Sequence, residues 1–116
     1  MIKTPLCKIL GIEHPIIQGG MAWVGTAELT AAVSEAGAFG ILGGGNAPPD
    51  YVRAQIRETK RRTQKPFGVN IPLFSPFVDD IVSICIEERV SAVATGAGNP
   101  GTIIPRLKEA GILVMP

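Results

Sequence analysis

Four short stretches of this sequence carry groups that could do chemistry, and none is an acid–base cluster. They are Gly19-Gly20-Met21-Ala22, Gly43-Gly44-Gly45-Asn46, the single Asn70, and Thr95-Gly96-Ala97-Gly98. Glycine brings backbone N–H and C=O groups close to a ligand and accepts dihedrals that other residues resist. Asn and Thr add neutral donors and acceptors. A set without carboxylate or histidine suits the holding of a flat polar heterocycle better than hydrolysis. The competing explanation is that these glycines only make tight turns. Recurrence in three separate loops on one rim favours a ligand over turn geometry alone.

Other motifs carry less. "GAGNPG" (Gly96 to Gly101) matches G-x-G-x-x-G, but a proline interrupts it and no acid ends the following strand to hold a ribose hydroxyl. "GGGNAPPD" lacks the Gly-Lys-Ser/Thr ending of a P-loop. His14, the only histidine, precedes the first apolar burst, which places it on the face opposite the rim in a packing or surface role. The basic run "RETKRRTQK" (57 to 65) closes a helix, where positive charge favours the dipole, and is expected to be solvated. Cys7 and Cys85 are too few and too far apart for a disulfide framework or a metal site, so both are expected as reduced thiols, Cys85 in a core. Trp23 fits either a core anchor or a lid over a ring.

The elements that must position these groups follow from apolar patterning. "PIIQG" (15 to 19), "FGILG" (39 to 43), "FGVNI" (67 to 71), "AVATG" (92 to 96) and "ILVMP" (112 to 116) are short, non-alternating and bounded by Gly or Pro. Strands covered on both faces read this way. Helical spacing lies between them. Leu29, Ala32, Val33 and Ala36 predict one apolar face behind a Thr26 cap and before a Gly37 stop. Tyr51, Val52 and Ile56 predict a second. Ser75-Pro76 predicts a capped start, with Asp79 and Asp80 near the positive end of the dipole and Phe77, Ile81, Ile84 and Cys85 on the apolar face. Asn99-Pro100 opens a fourth helix carrying Ile103, Ile104 and Leu107, which Pro105 should kink or delay. "SEAGAFGIL" and "KEAGILVMP" repeat a helix end, a glycine hinge and a strand. Strand–helix alternation implies right-handed crossovers and a parallel sheet.

Two architectures fit: a five-stranded doubly wound domain resembling flavodoxin, and the amino-terminal half of a (βα)8 barrel. Because the sequence ends on "ILVMP" with no covering helix, the expectation is about four βα units plus a fifth strand of a TIM barrel. Ligands sit at the carboxyl ends of the strands in either case. The formal charge of +1 and the absence of a long apolar run argue against nucleic-acid or membrane partners. No signal-peptide pattern is present at the start, so a soluble, cytoplasmic protein is expected.

"PIIQGGMAWV", "GILGGGNAP", "KPFGVNIPL" with "SPF", and "ATGAGNP" together resemble the amino-terminal part of the flavin-dependent enoyl-acyl-carrier-protein reductase II, within the wider nitronate monooxygenase (2-nitropropane dioxygenase) family. The match runs along essentially the whole sequence. Nitronate monooxygenases proper tend to carry Pro-Met where this chain has Gly20-Met21, and "GGGNAP" and "TGAGNP" also lean to the reductase. The resemblance implies an FMN-containing TIM barrel. Gly20, Met21 and Ala22 would line the isoalloxazine ring, Asn70 would hydrogen-bond the ring or ribityl region, and Gly44, Thr95 and Gly96 would lie close by. The implied chemistry is hydride transfer from NAD(P)H through FMN to a trans-2-enoyl thioester, with oxidation of alkyl nitronates by oxygen as the alternative. No catalytic residue is assigned, because the family's Gly-Gly-His histidine has no match here and His14 does not replace it. Residues 1–116 are therefore expected to be a partial barrel, weak in FMN binding and inactive alone, that forms a homo-oligomer or associates through its open sheet edge. A non-catalytic flavodoxin-like or half-barrel module is the remaining alternative.

Overall fold

The computed structural model describes residues 2–116. The chain runs α1 (Pro5–Leu10), β1 (Ile17–Gln18), α2 (Ala27–Glu35), β2 (Phe39–Gly43), α3 (Pro49–Arg62), β3 (Phe67–Pro72), α4 (Val78–Glu87), β4 (Ala92–Gly96), a 3-10 turn (Pro100–Thr102), α5 (Ile104–Glu109) and β5 (Leu113–Met115). All five strands are parallel and lie in the order β1-β2-β3-β4-β5. That order excludes the flavodoxin arrangement, in which the first strand moves inside the second. Each right-handed crossover instead advances the sheet by one strand, which makes a half-barrel with its helices outside.

The register sorts side chains onto two faces. Leu42 stands beside Val69, Val69 beside Val93 and Ile71 beside Thr95 on the helix side. There Leu42, Val69, Ile71 and Val93 form one core with Val52 and Ile56 of α3, Ile81 and Cys85 of α4, and Leu107 of α5. Full burial of each large aliphatic side chain contributes about 1.5–3 kcal/mol. The lumen side holds a smaller cluster, in which Phe39, Ile41 and Ala92 meet Cys7, Leu10 and Ile12. Helix α1 therefore closes the amino end of the lumen. Sequence reasoning missed it, although Thr4-Pro5 at its start and Gly11 in the left-handed region (φ 69) at its end are ordinary helix boundaries.

Other expectations need correction. The buried face of α2 is Ala27, Thr30, Ala31 and Ser34, whereas Leu29 and Val33 are half-buried and Ala32 and Ala36 exposed. Gly40 is the reason: any side chain there would strike the Thr30 carbonyl, so α2 lies against β2 through its small residues. Ser34 Oγ locks the contact by accepting from Gly40 N (3.3 Å) and donating to Pro66 O (2.8 Å). Thr26 occupies the cap position of α2 without a side-chain cap bond, and Gln55 Oε1 accepts from Ala27 N instead (2.8 Å). Helix α4 starts at Val78, because Ser75 Oγ accepts from Phe77 N and makes a turn there (3.1 Å). Pro105 does delay the last helix: a 3-10 turn precedes α5, and Pro105 falls in its first turn, where no backbone donor is needed. Large apolar side chains stay exposed at both outer strands, including Ile16, Ile17 and Leu113.

Candidate functional site

The chain leaves the sheet at Gln18. Its ladder with β2 stops at the pairing of Gln18 with Gly40, and the Gln18 side chain then serves the next backbone position. Its Nε2 donates to Ile41 O (3.2 Å) and its Oε1 accepts from Ile41 N (3.3 Å). Nε2 also donates to Gly19 O. A side-chain amide thus takes the place of strand backbone, and Gly19-Gly20 is released toward the carboxyl end of the lumen. Gln18 was not picked out from sequence; a lone amide closing the apolar run "PIIQ" was the available signal.

The released segment makes a tight turn. Val24 N and Gly25 N both donate to Met21 O (3.2 and 2.7 Å), and Gly25 O accepts from Gly43 N (2.9 Å). The turn is thereby fixed to the end of β2. The backbone N–H groups of Gly20 and Met21 have no partner among the described residues. Next to them lies Asn70, on the lumen side of β3 in register with Gly43 and Ala94. Its half-buried side chain makes no hydrogen bond among the described residues. A side chain on Gly20 would come within 2.5 Å of Asn70 Cβ, so Gly20 is glycine because Asn70 stands against it.

The seven residues singled out from sequence therefore divide. Gly20 stands against Asn70, the Met21 backbone against Gly43 and Ala22 against Gly45, and Gly96 ends the neighbouring β4. Gly44 is buried, and its missing side chain leaves room for the Asn70 carbonyl at 2.6 Å, so it packs the wall. Thr95 shares the helix side with Ile71. In contrast, a side chain at Gly19 or Gly96 would meet nothing within 4 Å. These two positions border open space, and Gly19 joins the candidate set for that reason.

Loops 19–25, 43–48, 72–77 and 96–102 contain no Lys, Arg or His. Among the described residues no group of three metal-ligating side chains occurs, and no helix is long and apolar enough to cross a membrane. The arrangement offers neutral hydrogen bonds and apolar surface, with no charge of its own.

Groups set aside as structural lie elsewhere. His14 N donates to Gly37 O (3.0 Å) at the amino end of the sheet. Much of the basic run is engaged: Arg57 pairs with Glu88, and Arg61 and Arg62 pair with Glu58. Arg53 bridges Glu87 and Glu88. Partial burial works against the Glu88 carboxylate, but the guanidinium groups of Arg53 and Arg57 outweigh it and hold its pKa below the usual value. Cys7 and Cys85 are both free and buried, and burial pushes the Cys85 thiol up to about 12. Trp23 is not a core anchor. It is exposed, with its ring tilted 52° against Tyr51 at 5.2 Å between centroids.

The nitronate monooxygenase family profile matches residues 3–83, more than half of the chain. The chain belongs to that family. A family relative, an octahydroindene-carboxyl-CoA dehydrogenase of Mycobacterium tuberculosis, is 41% identical over 99% of this chain and 32% of its own length. A nitronate monooxygenase of Paraburkholderia phytofirmans is 49% identical over 60% of this chain and 19% of its own length. The solved structure of FabK from Thermotoga maritima superposes with a TM-score of 0.96 at 54% identity, over 98% of this chain and 37% of that one. The chain thus spans between 19% and 37% of the length of these three relatives, at their amino-terminal part.

Proposed function

We propose that this protein is part of an FMN-dependent oxidoreductase that reduces trans-2-enoyl thioesters carried on acyl carrier protein, with NAD(P)H as reductant. The observation that carries this reading is the unpaired donor set of Gly20 N–H, Met21 N–H and the Asn70 carboxamide, beside the open positions at Gly19 and Gly96. Such a neutral, flat cradle fits the polar edge of a flavin ring. When bound, FMN would supply the redox chemistry by which a hydride from NAD(P)H reaches the β-carbon of the enoyl thioester while a proton is added at the α-carbon.

The residues of this chain bind and orient. Gly20 and Met21 N–H groups and the Asn70 amide hold the polar edge and favour negative charge developing there. Met21 and Ala22, next in the same turn, would line the ring. Gly44 keeps the wall thin behind Asn70, and Gly96 leaves open space at the end of β4, with Thr95 beside it on the helix side. On this reading residues 1–116 form the amino-terminal part of a larger barrel. Its further strands supply the phosphate grip and the family's histidine, and the open sheet edges associate with them or with a second copy. A soluble, cytoplasmic setting is part of the same reading. The 54% identity with FabK, an enoyl-acyl-carrier-protein reductase II, and the thioester named for the mycobacterial relative both support it.

Oxidation of alkyl nitronates is the second reading, favoured by the 49% identity with the Paraburkholderia nitronate monooxygenase. The two separate by experiment on the full-length protein with flavin bound. Oxygen-independent consumption of NAD(P)H with a trans-2-enoyl thioester is the expected result. Turnover of a nitronate only with oxygen, without enoyl reduction, would replace the first reading by the second. Absence of flavin absorption from intact full-length protein would sink both.

A further inference from the structure

Trp23 occupies a backbone conformation that its side chain opposes. Its φ is 64°, a left-handed value that a bulky L residue adopts only under strain. Glycine would adopt it freely, and glycines stand nearby at 19, 20 and 25. Contact with Tyr51 accounts for one face of the indole. Yet Trp23 remains 60% exposed, so much of the ring touches nothing among the described residues. Met21, at 42%, and Val24, at 62%, are exposed in the same turn. The three make an apolar step in the turn that the Gly43 N to Gly25 O bond fixes to the end of β2, beginning one residue after Gly20.

The charge pattern says what such a step receives. No cation lies in loops 19–25, 43–48, 72–77 and 96–102, so these loops offer a phosphate no counter-charge, whereas an uncharged chain needs none. We propose that Trp23 is a specificity-determining residue whose exposed indole, with Met21 and Val24, receives the distal hydrocarbon of the substrate. This rests on the reading that the reacting end of a thioester lies at the cradle. A short acyl group would stop short of the indole. A long one would cover it and displace water from apolar surface.

Trp23 is the only tryptophan, so its emission reports the contact directly, without turnover. The test titrates the intact full-length protein with the four-carbon and ten-carbon trans-2-enoyl thioesters of N-acetylcysteamine, with affinities from calorimetry. Any tryptophan outside residues 1–116 is first replaced by phenylalanine. The ten-carbon probe is expected to bind at least about tenfold tighter and to shift Trp23 emission to shorter wavelength, while the four-carbon probe leaves emission unchanged. Trp23→Gly, which suits the left-handed backbone, should bring the two affinities within about threefold, and Trp23→Phe should restore much of the difference. Unchanged emission with the long probe, or undiminished chain-length preference in Trp23→Gly, overturns the proposal. Loss of enoyl reduction with the emission shift intact would count against the proposed reaction and leave the Trp23 contact standing.

Discussion

Gly96→Ala and Gly40→Ala add the same methyl group and should have opposite consequences. At Gly96 the new Cβ meets no heavy atom within 4 Å. The folded state loses no contact, while the unfolded chain loses freedom, so stability should hold or rise by about 0.4–1 kcal/mol. The methyl does enter the open space at the end of β4, where the proposed cofactor would lie. FMN affinity of the full-length protein should therefore fall by at least about tenfold, or 1.4 kcal/mol. At Gly40 the methyl is driven into the Thr30 carbonyl, so α2 must lift from β2. Overpacking of this kind costs about 1–3 kcal/mol, a shift of several degrees in Tm for a domain of this size. Urea unfolding followed by circular dichroism reads stability, and quenching of FMN fluorescence reads affinity, corrected for the folded fraction. Wild-type FMN affinity in Gly96→Ala would refute the placement of the cofactor. A lowered midpoint in Gly96→Ala, or an unchanged one in Gly40→Ala, would refute the packing on which the distinction stands.

Gln55→Ala removes the acceptor for the first N–H of α2, 2.8 Å away. It should destabilise by about 1 kcal/mol, with Gln55→Glu retaining most of the stability; thermal melting of both variants checks this. Glu88→Gln removes the carboxylate held by Arg53 and Arg57 at the surface between α3 and α4. The loss at neutral pH should be about 1 kcal/mol for a network in which Arg57 is exposed and Glu88 partly covered. Because the folded-state pKa is lowered, that contribution is present above the unfolded-state pKa and disappears as pH falls through the lower folded value. Melting curves of variant and wild type should therefore converge in acid.

The strands were legible because burial on both faces leaves little choice but an apolar run. "FGILG" and "AVATG" coincide with β2 and β4 residue for residue. The first run shrank to Ile17–Gln18, because the Gln18 amide replaces backbone pairing beyond that point. The face of α2 was misread because a large-residue stripe is the usual core signal, and here a glycine across the interface selects small residues instead. The Thr26 cap was plausible locally, but its role passes to Gln55, 28 positions from Ala27.

The sequence by itself determined the succession of βα units and the neutral, glycine-rich chemistry of the rim, since both depend on neighbours within a few residues. The strand order β1-β2-β3-β4-β5, which separates a half-barrel from a flavodoxin-like sheet, belongs to the tertiary structure alone. So does the sorting of the glycines. Gly20 and Gly44 are filled by Asn70 from another strand, and Gly19 and Gly96 are filled by nothing. A glycine's letter is the same in both cases; only contacts between distant parts of the chain decide whether its missing side chain makes room for the protein or for a ligand.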